Sequence, residues 1–133
     1  MRFTLKNDLS ELNRLATELE AFGQAESLSP QTVQQLNLAL DELVTNTINY
    51  GYEQPGQHSI EVEIERKGDV VEICLCDNAK AFDPFSAKEP DIEADIDDRP
   101  IGGLGVFLVR KLMDTCDYRR KGDRNVVQLS KKL

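Results

Sequence analysis

The sequence predicts an α/β (α+β) two-layer sandwich, a mixed and mostly antiparallel sheet with helices on one face. Two observations predict it. Element signals fall in the order β-α-α-β-β-loop-α-β-β, and the strand candidates alternate apolar with charged residues, as in a sheet with one solvated face. A third excludes a neighbouring class: strands and helices do not alternate one for one, which argues against a Rossmann fold.

Phe3 and Leu5 alternate with Arg2, Thr4 and Lys6, giving a short first strand. Asp8 and Glu11 have capping-box spacing, and Leu9, Leu12, Leu15, Ala16, Leu19 and Phe22 share one helical face, so a first helix is expected to end near Gly23. Ser29-Pro30 is a helix start, because Ser caps free N–H groups and Pro has none to leave unpaired. The second helix then runs from Pro30 to about Asn49. Gly51, Pro55 and Gly56 break the chain before Ser59 to Arg66, where Ile60, Val62 and Ile64 alternate with charges. Lys67-Gly68-Asp69 is the turn to a partner strand, Val70 to Asp77, with Val71, Ile73 and Leu75 on one face. From Ser86 to Pro100, two prolines and the acids Glu89, Asp91, Glu93, Asp95, Asp97 and Asp98 predict a mobile loop. A third helix starts around Gly103 to Gly105 and carries Val106, Leu108, Val109, Leu112 and Met113. Tyr118 to Lys121, a Gly122-Asp123 turn and Asn125 to Leu133 make a last hairpin.

The 133 residues are expected to form one domain, 1–133, large enough to bury about two thirds of the unfolded surface. Sixteen basic against twenty-four acidic residues leave a formal charge of -8, which repels phosphate backbones and makes nucleic acid an unfavourable primary ligand. The odd cysteine count (Cys74, Cys76, Cys116) and the lack of a signal-like start point to a reducing cytoplasm. No apolar run approaches the roughly 20 residues of a membrane span, so no membrane segment is expected.

Three stretches carry the chemistry: DELVTNTINYGY (Asp41 to Tyr52), DNAKAFDP (Asp77 to Pro84) and RPIGGLG (Arg99 to Gly105). Their order suits an adenine nucleotide with Mg²⁺. Glu42 and Asn46 are four apart and so stack on one helical face, where an amide oxygen suits a hard cation and a carboxylate can take a hydroxyl proton. The competing reading is a solvated face, since Glu42 lies nearly opposite the stripe of Leu36, Leu40, Leu43, Val44 and Thr47. Asn46 in mid-helix, followed by Asn49 and Gly51, favours a ligand, because Asn is a poor helix former. Asp77 ends an apolar strand, and its carboxylate either accepts from an exocyclic amine such as adenine N6 or closes a turn on its own backbone. Gly102, Gly103 and Gly105 let backbone approach a phosphate at a helix start, or simply allow a tight junction. Arg99 would pair with the terminal phosphate or a partner protein. No Walker loop is present, and the glycines lack Gly-x-Gly-x-x-Gly spacing because position 108 is Leu.

Read together, these stretches resemble the N-box and two glycine boxes of the superfamily that contains gyrase, mismatch-repair ATPases and histidine kinases. Short length, GGLGVFLVRKLMD, and an ending with Tyr118, Gly122, Asn125 and Leu129 in Tyr-x-x-x-x-Gly-x-x-Asn-x-x-x-Leu are similar to the bacterial anti-sigma factor serine kinases. The resemblance implies a Bergerat-type fold using ATP and Mg²⁺, with Asn46 holding the metal, Glu42 as catalytic carboxylate and Asp77 reading adenine. It further implies nucleotide contacts from Asn49, Ala79, Phe82, Arg99, Gly102, Gly103, Leu104 and Gly105, and an ATP lid over about 86–102. Such kinases phosphorylate a serine of a STAS-type anti-sigma antagonist, many sequester a sigma factor, and homodimers are usual. A non-catalytic nucleotide-dependent switch, or slow ATP hydrolysis, are the alternatives; the retained Glu42 favours the enzyme. Two departures stand out: Ala79 and Ala81 occupy positions often held by glycine, and Tyr50 replaces a histidine.

Other signals carry less. Cys74, Cys76, Cys116 and His58 fit no zinc spacing, so buried free thiols are expected. The acids from Asp91 to Asp97 fail as a calcium loop, because Ile96 stands where glycine is required. Arg119, Arg120, Lys121 and Arg124 read as a solvated hairpin tip or a docking patch for an acidic partner.

Overall fold

The computed structural model describes residues 1–52, 58–86 and 103–133, with Gly103 and Leu104 described by backbone alone. Apart from Ser86, the expected lid lies outside the described residues, as do Arg99, Gly102 and the Pro55-Gly56 break. The elements follow the expected order: β1 (Arg2–Lys6), α1 (Glu11–Ala25), α2 (Pro30–Tyr50), β2 (Ser59–Lys67), β3 (Val70–Asp77), α3 (Gly103–Leu112), β4 (Thr115–Lys121) and β5 (Arg124–Lys132). The strands form one sheet ordered β1-β2-β3-β5-β4. Its four pairings are all antiparallel, so the sheet expected to be mixed has no parallel pair among the described residues.

Local chemistry sets the helix ends. Ser29 Oγ accepts from Thr32 N at 3.1 Å, the cap expected for α2. The Asp8–Glu11 capping box does not form. Asp8 Oδ1 instead accepts from Ser10 N at 2.9 Å, an Asx turn, and Glu11 Oε1 accepts from Lys6 N at 3.2 Å. α1 also continues past Gly23 to Ala25, because this glycine serves packing: a Cβ there would lie 2.3 Å from Val33 Cγ2 of α2. In both hairpin turns Gly68 and Gly122 have φ of 63°, the left-handed conformation that glycine adopts without steric cost.

Strand alternation puts Phe3, Leu5, Ile60, Val62, Ile64, Val71, Ile73, Leu75, Val127 and Leu129 on the inner face, where they are buried. Leu15, Leu19 and Phe22 of α1, Leu36, Leu40, Leu43 and Val44 of α2 and Val109 of α3 cover them. Glu61, Glu63 and Glu65 point the other way into solvent. At about 25 cal/mol per Å² of apolar surface, this burial is the main force joining the two layers. No helix among the described residues is long and apolar enough to cross a membrane.

Register places the polar exceptions. Leu5 pairs with Ile60, Ile60 with Asp77, Asp77 with Asn125 and Asn125 with Arg120. Paired residues share a face, so this row crosses the sheet from apolar to polar on the helix side. Asp77 and Asn125 are the buried polar residues of the sheet, 6% and 5% exposed.

Candidate nucleotide site

A cavity of about 370 Å³ opens between the C-terminal half of α2, the row end at Asp77 and Asn125, and the loop after β3. Its walls are mostly apolar: Leu43, Val44, Ile60, Leu75, Val106 and Val127 line it together with Ala79 and Phe82. Polar groups converge from three directions, Asn46 from α2, Asp77 from β3 and Asn125 from β5. Such a volume with few fixed polar groups suits a flat heteroaromatic ligand held by edge hydrogen bonds.

Asp77 is both a turn aspartate and a wall of this cavity. Its Oδ1 accepts from Ala79 N at 2.9 Å and from Asn125 Nδ2 at 3.0 Å. Both bonds fall on Oδ1, which leaves Oδ2 as the oxygen for an incoming N–H donor. The loop that follows packs tightly on the end of α2. Lys80 N donates to Gly51 O at 3.0 Å, and a Cβ on Gly51 would lie 2.8 Å from Ala79 Cβ. Gly51 is therefore needed for close approach, with an ordinary φ of -84°.

Glu42 departs from the solvated face suggested by helical geometry. It is half-buried, because α3 covers that side of α2 as a second packing partner that one apolar stripe does not reveal. Asn46 Nδ2 donates to Glu42 Oε1 at 3.3 Å. That bond uses one N–H of the amide and leaves Asn46 Oδ1 as its acceptor. Among the described residues no group of three or more His, Cys, Asp or Glu side chains could hold a metal ion. A cation here would take one oxygen from Asn46 and the rest from phosphates and water, the habit of Mg²⁺. The donor set therefore fits Mg²⁺ arriving with a nucleotide.

The remaining expected residues divide. Ala79 and Phe82 line the cavity with Asn46 and Asp77, Phe82 at the rim with 57% exposure. Asn49 is exposed on α2 and does not line it. Gly103, Leu104 and Gly105 form the first turn of α3, where Gly105 faces the Glu42 carboxylate. The thiols expected to be buried are free and half-buried. Burial pushes the Cys74 and Cys116 thiols above their ordinary range.

Tyr52 adds an aromatic neighbour. Its ring stacks on His58 at 4.2 Å and 12°. Burial first, then the charge of Asp77, pushes its phenol up to about 12. Its oxygen is buried with no hydrogen-bond partner among the described residues.

In the sequence Tyr118 and Asn125 enter only through the terminal motif, and Arg120 only as part of the basic hairpin tip; none of the three is expected at the cavity. A usable signal existed: Asn125 has the same strand parity as Val127 and Leu129, so alternation turns it inward, and a buried Asn must find partners.

An antiparallel sheet covered on one face by three helices, with this cavity between α2 and the sheet, defines an α/β sandwich of the Bergerat type. The chain belongs to the histidine kinase-like ATPase domain family, whose model matches residues 5–131. It is similar to the serine-protein kinase RsbW of Listeria monocytogenes serovar 1/2a, 28% identical over 118 residues covering 86% of this chain and 74% of that protein. It is also similar to the serine/threonine-protein kinase BtrW of Bordetella bronchiseptica, 26% identical over 132 residues covering 94% and 93%. Among solved structures, the histidine kinase domain of the Erythrobacter litoralis EL346 blue-light activated histidine kinase superposes with a TM-score of 0.59 at 14% identity. That match covers 94% of this chain and 60% of that one, and it speaks for the fold alone.

Proposed function

We propose that the protein is an ATP-dependent protein-serine kinase of anti-sigma type, transferring the γ-phosphate of ATP to a serine of a STAS-type antagonist. The observation that carries this is the Glu42–Asn46 pair, bonded at 3.3 Å on the helix that walls the Asp77 cavity. The names of its relatives support serine as the acceptor. In this reading Asp77 Oδ2 accepts from the adenine amino group, and Asn46 Oδ1 would hold Mg²⁺. Bound Mg²⁺ would neutralise phosphate charge, as in other phosphoryl transfers. The incoming serine Oγ forms a bond to the γ-phosphorus, its proton passes to the Glu42 carboxylate, and the bridging oxygen leaves with ADP. Arg99 and the glycines from Gly102 to Gly105 would contribute at the phosphates. We extend the proposal to a cytoplasmic homodimer that also sequesters a sigma factor.

The test is transfer of radiolabelled γ-phosphate to a STAS-type partner. Wild type should label it, while Glu42→Ala should abolish labelling and keep ATP affinity within a few fold. Equal labelling by the variant would remove Glu42 from the reaction. ATP binding with no labelling of any STAS-type protein would make the chain a nucleotide-dependent binding switch instead.

A further inference from the structure

We infer that Asn125, held by Tyr118 and Arg120, is a positioning residue that sets base selectivity by fixing Asp77 and the loop from Ala79 to Phe82 in one pose. The inference rests on the adenine-nucleotide reading of the cavity. Asn125 Nδ2 lies 3.0 Å from Asp77 Oδ1, 3.3 Å from Ala79 O and 2.9 Å from Lys80 O. On its other side, Oδ1 accepts from Tyr118 Oη at 2.6 Å, from an Arg120 terminal guanidinium nitrogen at 3.1 Å and from Phe82 N at 3.4 Å. An amide has two N–H donors and two lone pairs, so both ends are saturated by protein. Asn125 thus has no capacity left for a ligand, although it borders the cavity. Its effect must pass through what it holds.

What it holds is the base-recognition wall. Ala79 and Ala81 stand where the resemblance expects glycines, neither has a positive φ, and side-chain hydrogen bonds hold the loop backbone. Three backbone groups of the loop, Ala79 O, Lys80 O and Phe82 N, bond to Asn125. Arg120 donates to Ala79 O as well, at 2.9 Å. The same amide pins Asp77 Oδ1, which fixes the direction in which Oδ2 meets a ligand. Arg120 reaches this network from the exposed hairpin strand β4, so the clamp ties the outermost strand to the cavity floor.

Selectivity is the readout, since general damage to the fold weakens ATP and GTP together. Affinities for both nucleotides with Mg²⁺ should be measured by calorimetry on wild type, Arg120→Met and Asn125→Leu. Wild type should prefer ATP. Arg120→Met should lower the ATP-to-GTP affinity ratio roughly fivefold, the worth of one net hydrogen bond, and Asn125→Leu by more. In an Asp77→Asn background the Arg120 effect should vanish. An unchanged ratio in Arg120→Met, or an equal loss for both nucleotides, overturns the inference, and this variant decides the matter even where Asn125→Leu does not fold. If wild type binds neither nucleotide, the reading of the cavity falls and this inference falls with it; if it binds ATP and the ratio does not move, only the inference falls.

Discussion

Gly105 lies directly against Glu42: a Cβ added to the glycine would stand 1.8 Å from Glu42 Oε1 and 1.9 Å from its Cδ. The first turn of α3 thus rests on a carboxylate that also accepts from the Asn46 amide at 3.3 Å. A helix start carries free N–H groups and a positive dipole end, which favour a negative side chain beneath it. The relationship gives Gly105 a packing role, independent of any phosphate.

Replacing Gly105 by Ala should push the Glu42 carboxylate aside and break its bond to Asn46. We expect a net loss of no more than about 1 kcal/mol in urea unfolding, because the atoms displaced are the movable end of a half-buried side chain and Ala favours the helix over Gly. Glu42→Ala removes the clashing atoms, so the double variant should recover most of that loss. Additive effects would show that the two residues do not bear on each other.

Asn46→Ala should weaken nucleotide binding only when Mg²⁺ is present. A rise in the MgATP Kd of about tenfold or more is expected, with little change for ATP in excess chelator. Equal weakening under both conditions would assign Asn46 to the nucleotide and not to the metal.

Asp77→Asn turns an acceptor-only carboxylate into a group that also donates, so discrimination against guanine should shrink. Hydrogen bonds to charged groups are worth about 1.5–3 kcal/mol, or roughly 10- to 100-fold in affinity. Competition between ATP and GTP for the variant measures this directly, and an intact preference would take Asp77 out of base recognition.

Tyr52→Phe should leave stability equal or raise it by up to about 1 kcal/mol at neutral pH, because its phenol oxygen is buried without a partner among the described residues. The same variant changes the alkaline limb. Below pH 10 the phenol is protonated in folded and unfolded chains alike. Between 10 and about 12 the unfolded chain loses this proton and the folded protein keeps it, so the folded state loses stability as pH rises through that window. Urea unfolding from pH 9 to 12 should fall less steeply in Tyr52→Phe, and parallel curves would contradict the assignment.

Much of the architecture was legible because it depends on local rules. The Ser29-Pro30 start, the alternation in Ile60, Val62 and Ile64, and the turns at Gly68 and Gly122 each follow from one or two residues. Asp77 and Asn46 were legible through motif spacing, and they meet at one cavity. What was not legible depends on pairs distant in sequence. Gly23 looked like a stop signal until Val33 filled its surface, and Glu42 looked solvated because a single stripe does not show that α3 lies on the other side. Asn125 was hidden for the same reason: its partners from Asp77 to Phe82 reach it only through the β3–β5 register, while Tyr118 and Arg120 come from the β4–β5 hairpin.

The central claim is that the cavity receives adenine on Asp77 with a cation on Asn46. A crystal structure with Mg²⁺ and a nonhydrolysable ATP analogue tests it most directly. The account predicts the adenine amino group within hydrogen-bond distance of Asp77 Oδ2 and the metal bound by Asn46 Oδ1. An analogue seated elsewhere, or a cavity that stays empty at saturating analogue, would contradict it.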